Sequence, residues 1–309
     1  MALRIVAGTA NPVLAAAVAA GLGGQSVLTE LEQFPDGELR PVVGAVRGDD
    51  VYVIQPTSPP VSEHLVELLL LLDACRRAGA FRVTAVVPYF GYARQDRRSR
   101  PGEAIGARVA AEAIAAAGAD RLVVVNPHTS GFEAMCSISV ETVNAMPLLA
   151  AASGVPTVHD QVVVAPDLGA VKLAERVAAQ LRLPVAVVRK VRLSGSSVRA
   201  DELVGEVEGR DAIVIDDMIA TGATIAAAAR LLVAHGAAPH PVVAATHGLF
   251  VGPAIDRMQL LEPKRLLVTD TVSPPNTSAV EVCSIAPILT DAIGRLHREE
   301  CLDDLGLFE

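Results

Sequence analysis

Short runs rich in Val and Ile alternate along this chain with longer Ala- and Leu-rich stretches, a pattern that few folds accept. The apolar runs Leu3–Ala7, Val51–Gln55, Val83–Pro88 and Arg121–Val125 are separated by helix-like segments at Pro12–Ala20, Glu63–Ala78 and Ala104–Ala117. The second half repeats the scheme, with runs at Gln161–Ala165, Val185–Val188, Ala212–Ile215, Val242–Ala245 and Arg265–Thr269. A strand that is apolar at every position must be covered on both faces, and strands alternating with helices give parallel sheets flanked by helices. The expected class is therefore α/β. A helix ending in Ala78-Gly79-Ala80 feeds VTAVVPYFG, and another ending in His235-Gly236-Ala237 feeds VVAATHGLF. This echo suggests two related halves, divided as 1–146 and 147–309.

Composition narrows the partners. With 309 residues, 51% of them hydrophobic, the chain can bury two cores of ordinary domain size. A net charge of -9 argues against a nucleic-acid binder, so any basic residues that matter must act in local clusters and the expected partners are small molecules. Cys75, Cys136, Cys283 and Cys301 lie far apart without a C-x-x-C pair, which points to reduced thiols in a cytoplasmic protein. The opening MALRIVAG enters a strand directly, and the apolar run Leu65–Ala74 contains Glu67 and Asp73 and is too short to span a membrane. No membrane partner is expected.

Candidate chemistry gathers in Ala212–Leu232, AIVIDDMIATGATIAAAARLL. Asp216 and Asp217 are expected at the carboxyl end of a buried strand, where open α/β sheets bind ligands. Thr221-Gly222-Ala223-Thr224 then enters an Ala-rich helix, whose first N–H groups lack intrahelical partners and whose dipole favours an anion. Gly222 lets the backbone approach a bound oxyanion, while the hydroxyls of Thr221 and Thr224 can cap the helix or add donors. An anion grip beside two acids suits a sugar phosphate. The bland alternative is a capped helix after a strand with two solvated acids. No G-x-x-x-x-G-K-[ST] loop is present, and Gly21-Leu22-Gly23-Gly24 lacks the dinucleotide spacing.

This stretch closely resembles the phosphoribosyl pyrophosphate binding motif of type I phosphoribosyltransferases and of ribose-phosphate pyrophosphokinases. The segment P-Y-F-G-Y-A-R-Q-D-R, from Pro88 to Arg97, is nearly identical to a pattern of the pyrophosphokinases that plain phosphoribosyltransferases lack. Phe34-Pro35-Asp36-Gly37-Glu38 is similar to their F-x-D-G-E, although by composition alone it reads as a surface turn. The closing segments ATHGLFVGPAIDR, LLVTDTV and SIAPILTDAIGRLHREECLDDLGLF are similar to the family's ending, so the likeness spans essentially the whole chain.

The resemblance implies two tandem type I phosphoribosyltransferase-like domains, each a parallel sheet flanked by helices, with the last helix packing toward the first domain. It implies transfer of the β,γ-diphosphoryl group of Mg-ATP to the 1-hydroxyl of ribose 5-phosphate, giving phosphoribosyl pyrophosphate and AMP. ATP would meet Phe34, Asp36, Gly37, Glu38, Arg94, Gln95 and Asp96, and guanidinium forks suit phosphate oxygens. Ribose 5-phosphate would meet Asp216, Asp217, Ala220, Thr221, Gly222, Ala223 and Thr224. Lys190 and Arg192 match a Lys-x-Arg at the start of a flap over the reacting phosphates and are the catalytic candidates; a strand edge carrying cations is the alternative. Mg2+ is the implied cofactor, with His128 and Asp167 as metal-linked candidates beside purely structural roles, a strand-end histidine and a Pro-Asp turn. A homodimer or larger homo-oligomer sharing the ATP site is implied as well.

The chain also departs from the family pattern. Asn126 stands where Asp is usual before the histidine, Ala220 and Ala223 replace a common Asp and Gly, and Ser62-Glu63 replaces an Asn-Asp pair of the regulated bacterial enzymes. A phosphoribosyltransferase and a catalytically silent regulatory paralogue are the competing readings, the second motivated by Asn126.

Overall fold

The computed structural model describes residues 1–24, 26–154, 160–192 and 199–306. These form two compact units, one holding Met1–Asn144, Thr271–Ser273 and the stretch from Ser284 onward, the other Ala145–Asp270 and Pro274–Cys283. The division is interleaved, unlike a plain split into 1–146 and 147–309.

In the first unit the order is β1 (Leu3–Ala7), α1 (Pro12–Gly21), β2 (Thr29–Gln33), β3 (Leu39–Val43), β4 (Asp50–Ile54), α2 (Val61–Arg77), β5 (Arg82–Val87), α3 (Gly106–Ala116), β6 (Arg121–Val125) and β7 (Ser139–Val143). All five strands of the sheet β1-β4-β5-β6-β7 run parallel. Every residue of β4 is buried, Val51–Ile54 as an apolar run requires and Asp50 in a pair with Arg82. On α2, Leu68, Leu71, Leu72 and Cys75 fall on one face at helical spacing and are fully buried against Val51, Val53 and Val83. Each such leucine contributes about 1.5–3 kcal/mol by leaving water. The hairpin β2–β3 pairs Gln33 with Leu39 and Thr29 with Val43.

The second unit continues with α4 (Met146–Ser153), β8 (Gln161–Ala165), α5 (Val171–Leu181), β9 (Val185–Arg192), β10 (Arg199–Val204), β11 (Asp211–Ile219), α6 (Ala223–Ala234), β12 (Val242–Gly248), α7 (Ala254–Gln259), β13 (Arg265–Thr269) and β14 (Glu281–Cys283). The last helix, α8 (Ala286–His297), returns to the first unit and packs on α1. The second sheet has the order β10-β9-β8-β11-β12-β13-β14, with only the β9–β10 pair antiparallel. The chain goes from β8 to β9 on one side and later to β11 on the other. The strand order therefore reverses at β8/β11, and a crevice at the carboxyl ends of these strands is the favoured ligand position in such sheets.

One expected strand limit changes, and one hairpin is new. β11 does not stop near Asp216 but runs on through Ile219, because β12 keeps pairing with it (Asp216 with Ala245, Met218 with His247, Ile219 with Gly248). β9 runs through the cationic residues to Arg192, as the extended reading of Val185–Arg192 has it, and β10 folds back along it. The hairpin β2–β3 has half-exposed strands with little apolar alternation, so periodicity did not announce it. No helix among the described residues is long and apolar enough to cross a membrane.

Candidate active site

The carboxyl ends of β8 and β11 bring three acids together. Pairing of β8 with β11 ends at Val164 and Val214, so Asp216 and Asp217 project from the part of β11 that outruns its neighbour. Asp167 follows β8 and accepts from the backbone N–H groups of Gly169 at 2.9 Å and Ala170 at 3.3 Å, both through Oδ1. Asp167 thus caps the short turn that follows β8, a structural use in keeping with the Pro-Asp turn of the bland reading. Burial, then the negative charges of Asp217 and Asp167, push the Asp216 carboxyl up to about 8. The backbone N–H of Asp217 donates to Asp216 Oδ1 at 2.9 Å and offsets part of this.

Past β11 the chain turns through Ala220, Thr221 and Gly222 into α6. Gly222 is the N-cap, at φ 70, and α6 receives no side-chain capping bond. Of the two expected uses of the Thr221 and Thr224 hydroxyls, capping the helix is absent, and adding donors to a ligand is the one left. The left-handed position belongs to Gly222 and not to Ala223, which is the first helical residue, so the extra methyl of Ala223 meets no backbone obstacle. A Cβ on Gly222 would lie 2.7 Å from Met258 Cε. The loop is tied from behind: Leu249 N–H and Phe250 N–H donate to Ile219 O at 3.0 Å, Val251 N–H to Ala220 O at 3.0 Å, and Arg257 Nη1 to Thr221 O. Arg257 and Met258 carried no motif signal of their own; Arg257 appeared only as the last residue of the similar segment ATHGLFVGPAIDR, and Met258 lies just beyond it.

In the first unit, Phe34–Glu38 forms the tip of the β2–β3 hairpin. Phe34 N–H donates to Glu38 O at 2.8 Å, Gly37 N–H to Phe34 O at 2.9 Å, and Glu38 N–H to Asp36 Oδ1 at 3.1 Å. Gly37 takes φ 94, which a side chain would strain, and the Arg40 guanidinium sits 5.1 Å from the Phe34 ring centroid. Arg94 and Gln95 are exposed on the loop between β5 and α3, with Asp96 half-buried. Gln95 closes this loop, because its carbonyl accepts from Ala107 N–H at 3.2 Å and its side chain lies where a Cβ on Gly106 would fall. His128 is exposed beyond β6. Asn126 is buried at φ 39 and donates through Nδ2 to Asn144 Oδ1 at 3.1 Å. Its amide thus ties the end of β6 to the residue that follows β7.

Lys190 and Arg192 stand two apart on β9, opposite Asp201 and Arg199 of β10. Their side chains, and residues 193–198 of the expected flap, lie outside the described residues. Among the described residues no group of three or more His, Cys, Asp or Glu could hold a metal outright. The negative charges of Asp217 and Asp167 act on the Asp216 carboxyl, an oxygen-only setting of the kind that hard cations take.

Known proteins match over the full length. A profile of the N-terminal domain of ribose phosphate pyrophosphokinase covers residues 3–118, and one of the phosphoribosyl transferase domain covers residues 155–284. Ribose-phosphate pyrophosphokinase of Gloeobacter violaceus is 39% identical over 308 residues, spanning 98% of this chain and 92% of that protein. The same-named protein of Caldanaerobacter subterraneus is 38% identical, over 96% of this chain and 95% of that one. The crystal structure of phosphoribosylpyrophosphate synthetase from Mycobacterium smegmatis superposes with a TM-score of 0.91 at 35% identity, covering 97% of this chain and all of that one. With two tandem α/β units and these matches from end to end, the chain is an enzyme of the ribose-phosphate pyrophosphokinase family.

Proposed function

We propose that this enzyme transfers the β,γ-diphosphoryl group of Mg-ATP to the 1-hydroxyl of ribose 5-phosphate, releasing AMP and phosphoribosyl pyrophosphate. The observation that carries the reading is the acid pair of β11 running directly into an uncapped helix entrance at the switch point of the second sheet. In this reading the N–H groups from Thr221 to Thr224 hold the 5-phosphate, and Asp216 and Asp217 hold the ribose diol. With Asp216 raised to about 8, the pair at neutral pH retains one proton and can both donate to and accept from two vicinal hydroxyls. Arg94, Gln95, Asp96 and the Phe34–Glu38 tip bind the nucleotide, with Phe34 offering an aromatic face.

The reaction forms the bond between the ribose 1-oxygen and the β-phosphorus, breaks the bond from that phosphorus to the bridging oxygen of AMP, and releases the hydroxyl proton. Asp167 and His128 are each candidate contacts for Mg2+, which would supply neutralisation of the diphosphoryl oxygens. Lys190 and Arg192 bring cations to the charge that develops in the transferring group. A single arginine in that position can be worth about 10³ in rate in related phosphoryl transfers. Incubation of the purified protein with Mg-ATP and ribose 5-phosphate tests the proposal: AMP and phosphoribosyl pyrophosphate should accumulate in equal amounts. Absence of both would leave the silent-paralogue reading, and consumption of added phosphoribosyl pyrophosphate with a base would favour the transferase reading.

A further inference from the structure

Three consecutive carbonyls of the loop before α6 are pinned to the same neighbours. Ile219 O accepts from Leu249 and Phe250, Ala220 O from Val251, and Thr221 O from the Arg257 guanidinium on α7. In a trans peptide the carbonyl of one residue points opposite to the N–H of the next. Fixing these carbonyls therefore turns the N–H groups of Ala220, Thr221 and Gly222 to the other side, where they continue into the open N–H groups of α6. The first two carbonyls are held by backbone donors, which any sequence could supply. Only the third depends on a side chain, and it is the one that sets the plane of the peptide leading to Gly222, whose left-handed φ of 70 has Met258 behind it.

We infer that Arg257 is a positioning residue for the anion loop: by holding Thr221 O it aims the Gly222 N–H at the bound phosphate. The inference rests on the proposed assignment of this loop to the 5-phosphate of ribose 5-phosphate. It goes further, in that it gives a specificity role to a residue that touches no substrate. A guanidinium is suited to the task because it is always charged and its donors stand in a rigid plane, whereas the amino group of lysine can reach the same carbonyl without fixing its direction.

The test compares wild type with Arg257→Met, which keeps much of the stem and removes the donor, and with Arg257→Lys. Arg257→Met should raise the KM for ribose 5-phosphate about tenfold, the size of one lost hydrogen bond from a charged group, with the KM for ATP changed by less than about twofold. Arg257→Lys should recover part of the loss. A general loosening of the unit would instead shift both KM values and kcat together, and that outcome, or no change, would overturn the inference. A second measurement follows the Gly222 amide resonance during titration with inorganic phosphate. It should move in the wild type and respond far less in Arg257→Met; equal responses, or none in the wild type, would also overturn it. If the wild type makes no phosphoribosyl pyrophosphate the functional proposal fails by itself, and the amide titration still decides the role of Arg257.

Discussion

At the scale of single residues, the proposed anion loop depends on a left-handed backbone at position 222 that glycine adopts freely and other residues do not. Gly222→Ala places a methyl 2.7 Å from Met258 Cε at φ 70, so the peptide must rotate and one donor is lost. Ribose 5-phosphate KM should rise by about tenfold or more, with the fold intact by circular dichroism. Asp216 gives a second, opposite-signed prediction. Its carboxyl is raised from 3.8 to about 8, so the folded state holds a proton that the unfolded chain gives up, and the stability present at low pH is lost as pH climbs through that interval. Asp216→Asn should therefore melt higher than the wild type, with an advantage that grows from about pH 4 and levels off above about pH 8, while ribose 5-phosphate affinity falls. A wild type that stayed the more stable at pH 9 would refute this. The acids and the glycine were legible in the sequence because motif chemistry needs those residue types in that order. Arg257 and the Asn126–Asn144 amide pair were not, since each depends on a partner distant in sequence and no local pattern marks it.

At the scale of elements, most strands were legible because a covered strand carries a short run rich in Val, Ile and Leu: β1, β6, β8 and β13 match their expected limits residue for residue. The elements that periodicity missed, β2, β3, β7, β10 and β14, are mostly half-exposed or end in charged partners, so pairing rather than pattern creates them. Attachment of α8 to the first unit likewise rests on a contact invisible in sequence. His297 Nδ1 lies 2.8 Å from the fully buried Asp50 Oδ2, and Arg82 donates to Asp50 through Nε at 2.8 Å and Nη2 at 2.7 Å. Burial alone would raise the Asp50 carboxyl, but its bonds to Arg82 and His297 outweigh that and hold it below its ordinary value. This interaction stabilises the unit above the usual carboxylate range and is lost as pH falls below about 4 and through the lowered folded value. Asp50→Ala would leave the Arg82 guanidinium half-buried and unpaired from this carboxylate, at a cost of about 3 kcal/mol or more in denaturant unfolding. His297→Ala should cost less, about 1–2 kcal/mol, and should speed amide exchange in α8 more than in β11; uniform acceleration would mean that the contact does not secure the helix.

At the scale of the whole molecule, the proposed reaction divides its work between residues that bind and residues that meet charge only as it moves. Lys190 and Arg192 belong to the second group, because a cation that acts on the transferring diphosphoryl unit lowers the barrier without holding the sugar. Lys190→Ala should therefore reduce kcat by about 10²-fold or more with ribose 5-phosphate binding nearly unchanged, and equal loss of both would remove its assigned role. Magnesium separates from the fold by the same logic. No group of three ligands among the described residues could hold a metal outright, so in the proposed reaction the ion is expected to arrive with the polyphosphate and share its oxygens. A structural metal would bind the folded chain alone and raise its melting temperature in proportion to RT ln(1 + [L]/Kd). A metal carried by nucleotide would not. EDTA should abolish phosphoribosyl pyrophosphate formation while leaving the melting temperature of the substrate-free protein within about 1 °C. The stabilisation by ATP should in turn require added Mg2+, and a large drop in melting temperature on chelation of the substrate-free protein would place a resident metal in the fold instead.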